Sequence, residues 1–212
     1  MEKSNGYKGN YDILIDDSGW GSPLGGVVMG VYKFDTKQFS WRIIEENHFQ
    51  APKYEKKSYL SQIALKVFEM IKELNVDKNA KILVCRGYCN NHIPQLLKYN
   101  GYMYVERGVV GEPLQTILEE KYKEYLTDLG FNGYKDPKVT NKNEISRSFY
   151  ATVKWAMEND KLNLCKTGWS YFTENKHLRL EVNVKKENTE TTKKKKRKRV
   201  KVPIVIPSLN FK

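Results

Sequence analysis

The hydrophobic and polar positions up to residue 46 form three short runs with the period of β-strands. The runs are YDILID (11–16), VVMGVYKF (27–34) and QFSWRIIEE (38–46), and short glycine-rich or polar connections separate them. Runs of this length that are rich in β-branched and aromatic residues predict strands, and short connections predict antiparallel neighbours. We therefore expect the chain to begin with a three-stranded antiparallel meander.

Beyond residue 57 the apolar positions take the period of an α-helix. Between Ser58 and Leu74 they recur every three or four residues, and Ser58 is placed to act as the N-cap. The remaining pattern predicts, in order, a buried strand at 81–85, a short helix at 93–100, a strand at 102–106, helices at 111–130 and 144–160, and a peripheral strand or hairpin within 165–184. Strands that are connected through helices pair in parallel. The predicted fold class is therefore α/β, with a mixed sheet.

The charge distribution separates a balanced domain from a basic tail. The chain has a net charge of +12, and residues 185–212 contain 11 of its 37 basic residues but only 2 of its 25 acidic residues. A charge run of this kind cannot bury enough apolar surface to fold alone. We therefore predict an α/β domain over residues 1–184 and a flexible basic tail over 185–212 that ends in an apolar peptide, VPIVIPSLNFK.

The densest part of the tail indicates a polyanionic partner. Its basic residues are Lys193, Lys194, Lys195, Lys196, Arg197, Lys198 and Arg199. Such a cluster binds phosphates with salt-dependent affinity and without reading sequence, so DNA or RNA is the expected partner, and a merely solubilising tail is the alternative. The cluster also resembles a nuclear localisation signal. The apolar peptide that follows is a candidate contact for a protein partner.

The amino-terminal segment and the cysteines indicate an intracellular protein. The segment MEKSNGYKGNYD lacks the apolar centre of a signal peptide, and no apolar run in the chain is long enough to cross a bilayer. The three cysteines are odd in number and do not have zinc-ligand spacing, which favours reduced thiols. We expect a cytoplasmic location, or a nuclear one in a eukaryotic source, and no membrane partner.

Two adjacent aspartates, Asp16 and Asp17, form the strongest candidate site because they end an apolar strand. A carboxylate at that position requires a cation or hydrogen-bond donors to offset its desolvation, so both residues are candidate metal ligands. Side chains alternate along a regular strand, and Asp17 therefore has a second interpretation as a cap of the following turn. The loop GWGSPLGG leads into a strand and lacks a P-loop ending, which favours a tight connection over a nucleotide-binding loop.

The same stretch resembles the first signature of the ribonuclease H-like superfamily, DGSxxGNPGxGG. The matching positions are Asp16, Ser18, Gly21, Pro23 and the pair Gly25–Gly26, with one residue fewer between the proline and the glycine pair. The predicted element order, βββ-α-β-α-β-α-α, is also that of the family. The resemblance implies a ribonuclease H-like sheet, a metal-binding aspartate on its central strand, and hydrolysis of phosphodiesters with Mg²⁺ or Mn²⁺ as cofactor.

The other carboxylates of the family pattern are not matched. The second acid of the family corresponds to Ser58, Tyr59 and Leu60, and the third corresponds to Cys85, Arg86 and Gly87. One aspartate cannot hold the two ions that this chemistry uses. These departures from the family pattern therefore leave two interpretations. Either other acids of the chain complete a metal site with Asp16, which we call the rebuilt site, or the domain has kept the fold and lost the hydrolytic activity.

In the rebuilt site, Asp16 and Glu106 are the catalytic acids and Arg86 binds the scissile phosphate, with Glu112 or Glu144 as further candidates. In the inactive alternative, Arg86 pairs with Asp16 in place of metal, and the domain only binds nucleic acid or a protein. We therefore expect a protein that acts on nucleic acid, and specifically a divalent-metal-dependent nuclease. The alternative is the inactive binding module. A small-ligand protein that uses the glycine loop is a third interpretation.

Overall fold

The computed structural model describes residues 10–134 and 142–175, within which five strands and five α-helices are formed. The strands are β1 (Ile13–Ser18), β2 (Val27–Lys33), β3 (Gln38–Ile44), β4 (Lys81–Cys85) and β5 (Tyr104–Gly108). The helices are α1 (Ser58–Glu73), α2 (Ile93–Tyr99), α3 (Leu114–Asp128), α4 (Lys142–Glu158) and α5 (Ser170–Glu174). The predicted basic tail, with its cluster Lys193–Arg199 and its apolar peptide, lies outside the described residues.

The strands form one mixed sheet in the order β3-β2-β1-β4-β5. The first three strands are antiparallel neighbours, whereas β4 pairs in parallel with β1 and β5 pairs in parallel with β4. The predicted α/β class, the meander and the parallel addition of the later strands are therefore confirmed. Because β1, β4 and β5 run in the same direction, their carboxyl ends meet at one edge of the sheet.

Helices cover both faces of the sheet. Alternate residues of β1 point to opposite faces, so that Ile15 packs in the same cluster as Ile63 of α1, and Leu14 packs with Leu118 of α3 and Val153 of α4. The cluster on the first face also includes residues of α2. The central strand is therefore buried from both sides, which explains why its polar residues appear only at its end. Among the described helices, none is long and apolar enough to span a membrane.

Several element boundaries differ from the prediction because tertiary contacts determine them. Strand β5 begins at Tyr104 rather than at residue 102, since its pairing with β4 starts at Lys81, and Glu106 consequently lies in the middle of the strand instead of at its end. Ser58 is the first residue of α1 and not its N-cap. The N-cap is Lys57, in a left-handed conformation with φ 53°, and the Ser58 hydroxyl donates to the carbonyl of Lys53 at 3.1 Å.

The segment after α4 forms no hairpin in its described part, residues 165–175. It contains the short helix α5, and Cys165 makes an isolated antiparallel bridge with Leu24 in the glycine-rich loop. This bridge joins the loop that follows β1 to a segment from the far end of the described chain. The edge of the sheet at the carboxyl end of β1 is thus formed by segments that are far apart in the sequence.

Candidate metal centre

The carboxyl ends of β1 and β4 bring together Asp16, Asp17 and Cys85. One ligand atom from each of these three residues lies within 4.8 Å of the corresponding atom of the others, a spacing at which they could hold a metal ion. The parallel register explains the grouping, because Ile15 is level with Val84 and the next residues are Asp16 and Cys85. The carboxylates of Asp16 and Asp17 therefore approach each other although they leave β1 on opposite faces.

Asp16 is a buried carboxylate, with 8% of its surface exposed. Burial and the neighbouring charge of Asp17 raise its pKa to about 7, while hydrogen bonds from the Cys85 thiol and the Asp17 backbone amide oppose the shift. The amide of Asp17 donates to Asp16 Oδ1 at 2.8 Å. A cation bound here would offset the desolvation that raises this pKa.

Asp17 faces the α1 side of the sheet and is held by the turn that follows β4. Its Oδ1 atom accepts hydrogen bonds from Cys89 Sγ at 3.1 Å and from Asn90 Nδ2 at 3.0 Å. Burial raises the pKa of Asp17, and these two donors and the charge of Lys166 oppose that effect. The interpretation of Asp17 as a cap of the turn after β1 is therefore not supported, because its side-chain donors come from the turn after β4.

The donor set suits a divalent cation. Two carboxylates supply the oxygen ligands that Mg²⁺ and Mn²⁺ prefer, and the Cys85 thiol adds a softer ligand. Burial raises the pKa of Cys85 to about 12, so without a metal this thiol acts as a neutral donor to Asp16. Asn90 is fully buried, and its Oδ1 atom has no hydrogen-bond partner among the described residues. Rotation of the amide would exchange the Nδ2 donor to Asp17 for this oxygen, an arrangement that only a cation between the two oxygens would stabilise.

Lys166 stabilises the glycine-rich loop between β1 and β2. Its side chain is fully buried, and its Nζ donates to the carbonyl of Gly19 at 2.7 Å and to that of Ser22 at 2.6 Å. The ammonium group also lies 5.5 Å from the ring centre of Phe49 and 5.3 Å from that of Trp169. Burial lowers the pKa of Lys166 to about 7. This lysine fixes the loop that begins immediately after the two aspartates.

The structure places Glu106 and Arg86 near the same edge but outside the ligand group. Glu106 is exposed on β5, where its carboxylate accepts a hydrogen bond from the Tyr11 hydroxyl. Its pairing partner on β4 is Leu83, which lies two residues before Cys85. In addition, β4 separates β5 from β1 in the sheet. Arg86 is exposed directly after β4, and none of the ion pairs between described residues includes it. The alternative of an Asp16–Arg86 ion pair is therefore not observed.

The two further acids proposed from sequence lie elsewhere. Glu112 accepts a hydrogen bond from Thr116 Oγ1 at 2.7 Å, and Glu144 is exposed in the first turn of α4. By contrast Glu119 of α3, which was not among the predicted site residues, lies close enough for its charge to contribute to the raised pKa of Asp16. Glu119 approaches the site from the α3 side of the sheet, and it was not identified from the sequence.

Lys166, Cys89 and Asn90 were also absent from the predicted site. Cys89 and Asn90 follow β4 closely in the sequence, but they were not predicted to contact Asp17. Lys166 stands 149 positions after Asp17, in a segment with no recognisable motif. Only the fold connects it with the loop.

Comparison with known proteins adds no relative, since no protein-family model and no curated protein matches the chain. The functional assignment therefore rests on the fold and on the geometry of the site.

Proposed function

We propose that the protein is a divalent-metal-dependent nuclease of ribonuclease H-like architecture. The observation that carries the proposal is the grouping of Asp16, Asp17 and Cys85 within 4.8 Å at the carboxyl end of the central strand. The sheet order β3-β2-β1-β4-β5, with an antiparallel meander and two added parallel strands, supports the resemblance that the first signature suggested. Open α/β sheets commonly bind their ligands at this edge.

The residues of the site have separate tasks in this proposal. Asp16 and Asp17 would hold Mg²⁺ or Mn²⁺, with Cys85 and Asn90 as further ligand candidates. A bound ion of this kind polarises a phosphodiester and lowers the pKa of a coordinated water. Arg86 is exposed at the same edge, and its guanidinium is suited to bind a non-bridging pair of phosphate oxygens.

The charge of the chain supports a nucleic acid as substrate. The tail 185–212 contributes most of the net positive charge, and the site edge adds the exposed residues Arg86 and Arg107. Arg107 donates to the backbone carbonyls of Arg86 and Gly87, so it also fixes the turn that carries Asn90 toward Asp17. Basic side chains of this kind supply affinity for a phosphate backbone without sequence preference.

A second function, a metal-free binding module, is favoured by one specific observation. The carboxylate of Asp17 is already bonded to Cys89 and Asn90, and the ligand group of described residues includes a thiol where a nuclease of this architecture would place an acid. In this alternative the site edge and the tail bind nucleic acid, and the buried carboxylates are stabilised by hydrogen bonds from the two thiols, the Asn90 amide and the Asp17 backbone amide in place of a cation.

The test is cleavage of a mixed panel of single-stranded DNA, duplex DNA, RNA and RNA–DNA hybrid, with Mg²⁺ or Mn²⁺ present. We expect Asp16→Asn to reduce cleavage by about two orders of magnitude or more, because it removes the charge that holds the ion. Glu106→Gln is the matched control, since it also neutralises an acid near this edge but lies outside the ligand group. We expect it to retain activity within about threefold.

Either of two results would contradict the nuclease assignment. Equal cleavage by the wild type and Asp16→Asn would show that the activity does not use this site. Absence of cleavage on every substrate, together with binding that is lost when residues 185–212 are deleted, would establish the binding module instead. Loss of activity in Glu106→Gln equal to that in Asp16→Asn would return Glu106 to the catalytic set.

A further inference from the structure

Next to the carboxylate pair, six aromatic side chains form one continuous cluster, which we call the aromatic shelf. Its members are Trp20, Phe49, Tyr54, Tyr59, Tyr88 and Trp169. The indole ring of Trp20 is the centre of the shelf, with its centroid 5.6 Å from that of Tyr59, 6.2 Å from that of Tyr88 and 6.4 Å from that of Trp169. Tyr54 stacks on Tyr59 at 5.4 Å.

The shelf is buried on one side and open on the other. Tyr59 is 2% exposed and belongs to the hydrophobic core, whereas Tyr88 is 43% exposed. Trp20 and Tyr54 are partly buried between these two extremes. An aromatic ring that is rigidly supported from behind and open in front is a preorganised surface for another flat ring, because stacking then costs little conformational entropy.

The open end of the shelf lies beside the candidate metal centre. Tyr88 directly precedes Cys89, whose Sγ atom is 3.1 Å from Asp17 Oδ1, and Trp20 is three residues after Asp17, in the loop that follows β1. The ammonium of Lys166 links the two regions, since it contacts the carbonyl of Gly19 and lies over the ring of Trp169. A ligand on Tyr88 would thus have its adjoining groups near the carboxylates.

Basic residues lie next to the exposed ring in space or in sequence. Lys57 Nζ lies 5.7 Å from the ring centre of Tyr88, and Arg86 is exposed two positions before Tyr88. The segment PKYEKK (52–57), which contributes Tyr54 to the shelf, contains three exposed lysines and one exposed glutamate. The surface is therefore aromatic in its centre and positive at its rim. A nucleic acid strand has the complementary arrangement, with flat bases and anionic phosphates.

We propose that Tyr88, supported by Trp20, stacks an unpaired base, and that the ligand of this site is single-stranded nucleic acid. Bases inside a duplex already stack on each other and do not offer a free face, so an aromatic platform selects single strands or unpaired ends. Lys57 and Arg86 then contact the phosphates on either side of the stacked base. The inference deepens the proposed function, on which it rests for the identity of the substrate as a nucleic acid.

The experiment measures binding of labelled oligonucleotides to the full chain in EDTA, where metal-dependent cleavage cannot occur. The ligands are a short single-stranded DNA, the same sequence as RNA, the corresponding duplex, and an abasic strand with the same phosphates. We expect Tyr88→Ala to weaken binding of both base-containing single strands by about tenfold, because one stacked base is lost. Binding of the duplex and of the abasic strand should not change.

Matched variants separate stacking from other effects. Tyr88→Phe retains the ring and should bind within about twofold of the wild type, while Tyr88→Leu retains apolar packing without the ring and should bind like Tyr88→Ala. Tyr99→Ala removes a tyrosine that is 90% exposed away from the shelf, and we expect no effect. A circular dichroism melt establishes that each variant is folded, and Tyr88→Leu is the variant to use if Tyr88→Ala is not.

The outcomes distinguish this inference from the nuclease assignment. Base-dependent binding that requires the Tyr88 ring, without any cleavage that depends on Asp16, overturns the nuclease and supports the platform. Cleavage that depends on Asp16, with equal single-strand binding by Tyr88→Ala and the wild type, overturns the platform and retains the nuclease. If Tyr88→Ala weakens binding of the abasic strand as much as binding of the base-containing strands, stacking is also overturned, because the effect would then come from phosphate contacts.

Discussion

At the scale of single residues, Lys166 controls the shape of the loop beside the carboxylates. Replacing it by methionine in Lys166→Met keeps the apolar volume but leaves the carbonyls of Gly19 and Ser22 without their buried donor. We expect a loss of about 1–3 kcal/mol in the free energy of unfolding, measured by urea denaturation, since a buried unsatisfied acceptor costs this much. Lys161→Met, at an exposed position nearby, should change it by less than about 0.5 kcal/mol. Equal values for both variants would show that the ammonium does not support the loop.

The same lysine predicts a pH dependence of stability. Its pKa in the folded protein is lowered to about 7 from the ordinary 10.5, because burial disfavours the charged form. Between these two values the unfolded chain holds the proton more tightly than the folded protein, so the free energy of unfolding rises with pH. Below pH 7 both states are protonated and this contribution is constant. We expect the stability of the wild type relative to Lys166→Met to increase from pH 7 to pH 10, and a constant difference would contradict the assignment.

If the proposed centre binds a cation, we expect Cys85 to influence which cation it prefers. It stands where the ribonuclease H-like pattern has an acid, and Cys85→Asp would give the site a third carboxylate at the same strand end. We expect this variant to bind Mg²⁺ about tenfold more tightly than the wild type in a calorimetric titration, because Mg²⁺ prefers oxygen and responds to ligand charge. Cys85→Ser adds an oxygen without charge and is the control. Unchanged Mg²⁺ affinity in Cys85→Asp would place the ion elsewhere.

The residues of the site were only partly predictable. Asp16 could be identified because a carboxylate at the end of an apolar strand is costly unless it is paired, and this holds for any fold. The partners of Asp17 could not be identified, since Cys89 and Asn90 approach it only when β4 lies next to β1. For Lys166 the sequence has no signal, because one lysine between a cysteine and a threonine does not reveal its burial.

At the scale of elements, the loop between β1 and β2 depends on a glycine at one particular position. Gly19 has φ +89°, and a Cβ atom there would lie 2.2 Å from Cε2 of Tyr122. We expect Gly19→Ala to lower the free energy of unfolding by about 1–3 kcal/mol and to reduce metal binding, since both backbone strain and a clash result. At Gly21 a Cβ atom would meet nothing within 4 Å, so Gly21→Ala is the control and should be close to neutral. Similar stability of the two variants would refute the proposed tight packing of the loop on α3.

The hydrophobic period predicted the type and order of β1 to β5 and of helices α1 to α4, but it also predicted a peripheral strand or hairpin within 165–184, where the described part, 165–175, contains α5 instead. It could not determine where a strand begins, because that depends on the neighbouring strand. In β5 the partner Lys81 shifts the start to Tyr104, and this shift of two residues moves Glu106 away from the strand end. The helix α5 was not predicted, since five residues are too few to show a helical period.

At the scale of the whole molecule, we expect the tail and the sheet edge to make different contributions to the proposed binding of nucleic acid. Deletion of residues 185–212 removes 11 of the 37 basic residues and only 2 acidic ones. We expect it to weaken duplex binding strongly and to reduce the slope of log K against log salt concentration, because fewer counterions are released. Single-strand binding should retain its dependence on Tyr88. Unchanged duplex affinity after the deletion would show that the tail does not bind nucleic acid.

The sheet topology followed from general rules, because short connections give antiparallel neighbours and helical crossovers give parallel ones. The contact between the loop after β1 and the segment around Cys165 did not follow from any such rule. It joins parts of the chain with no matching pattern, through the bridge of Leu24 to Cys165 and the hydrogen bond from the Lys166 amide to the carbonyl of Pro23.

The distance along the chain between Gly19 and Lys166, 147 residues, has a consequence for biosynthesis. A nascent chain on the ribosome contains all five strands and both aspartates long before residue 166 leaves the exit tunnel. Until then the loop after β1 lacks its buried ammonium donor and its strand-like partner. The loop therefore acquires its final contacts only when synthesis has passed α4.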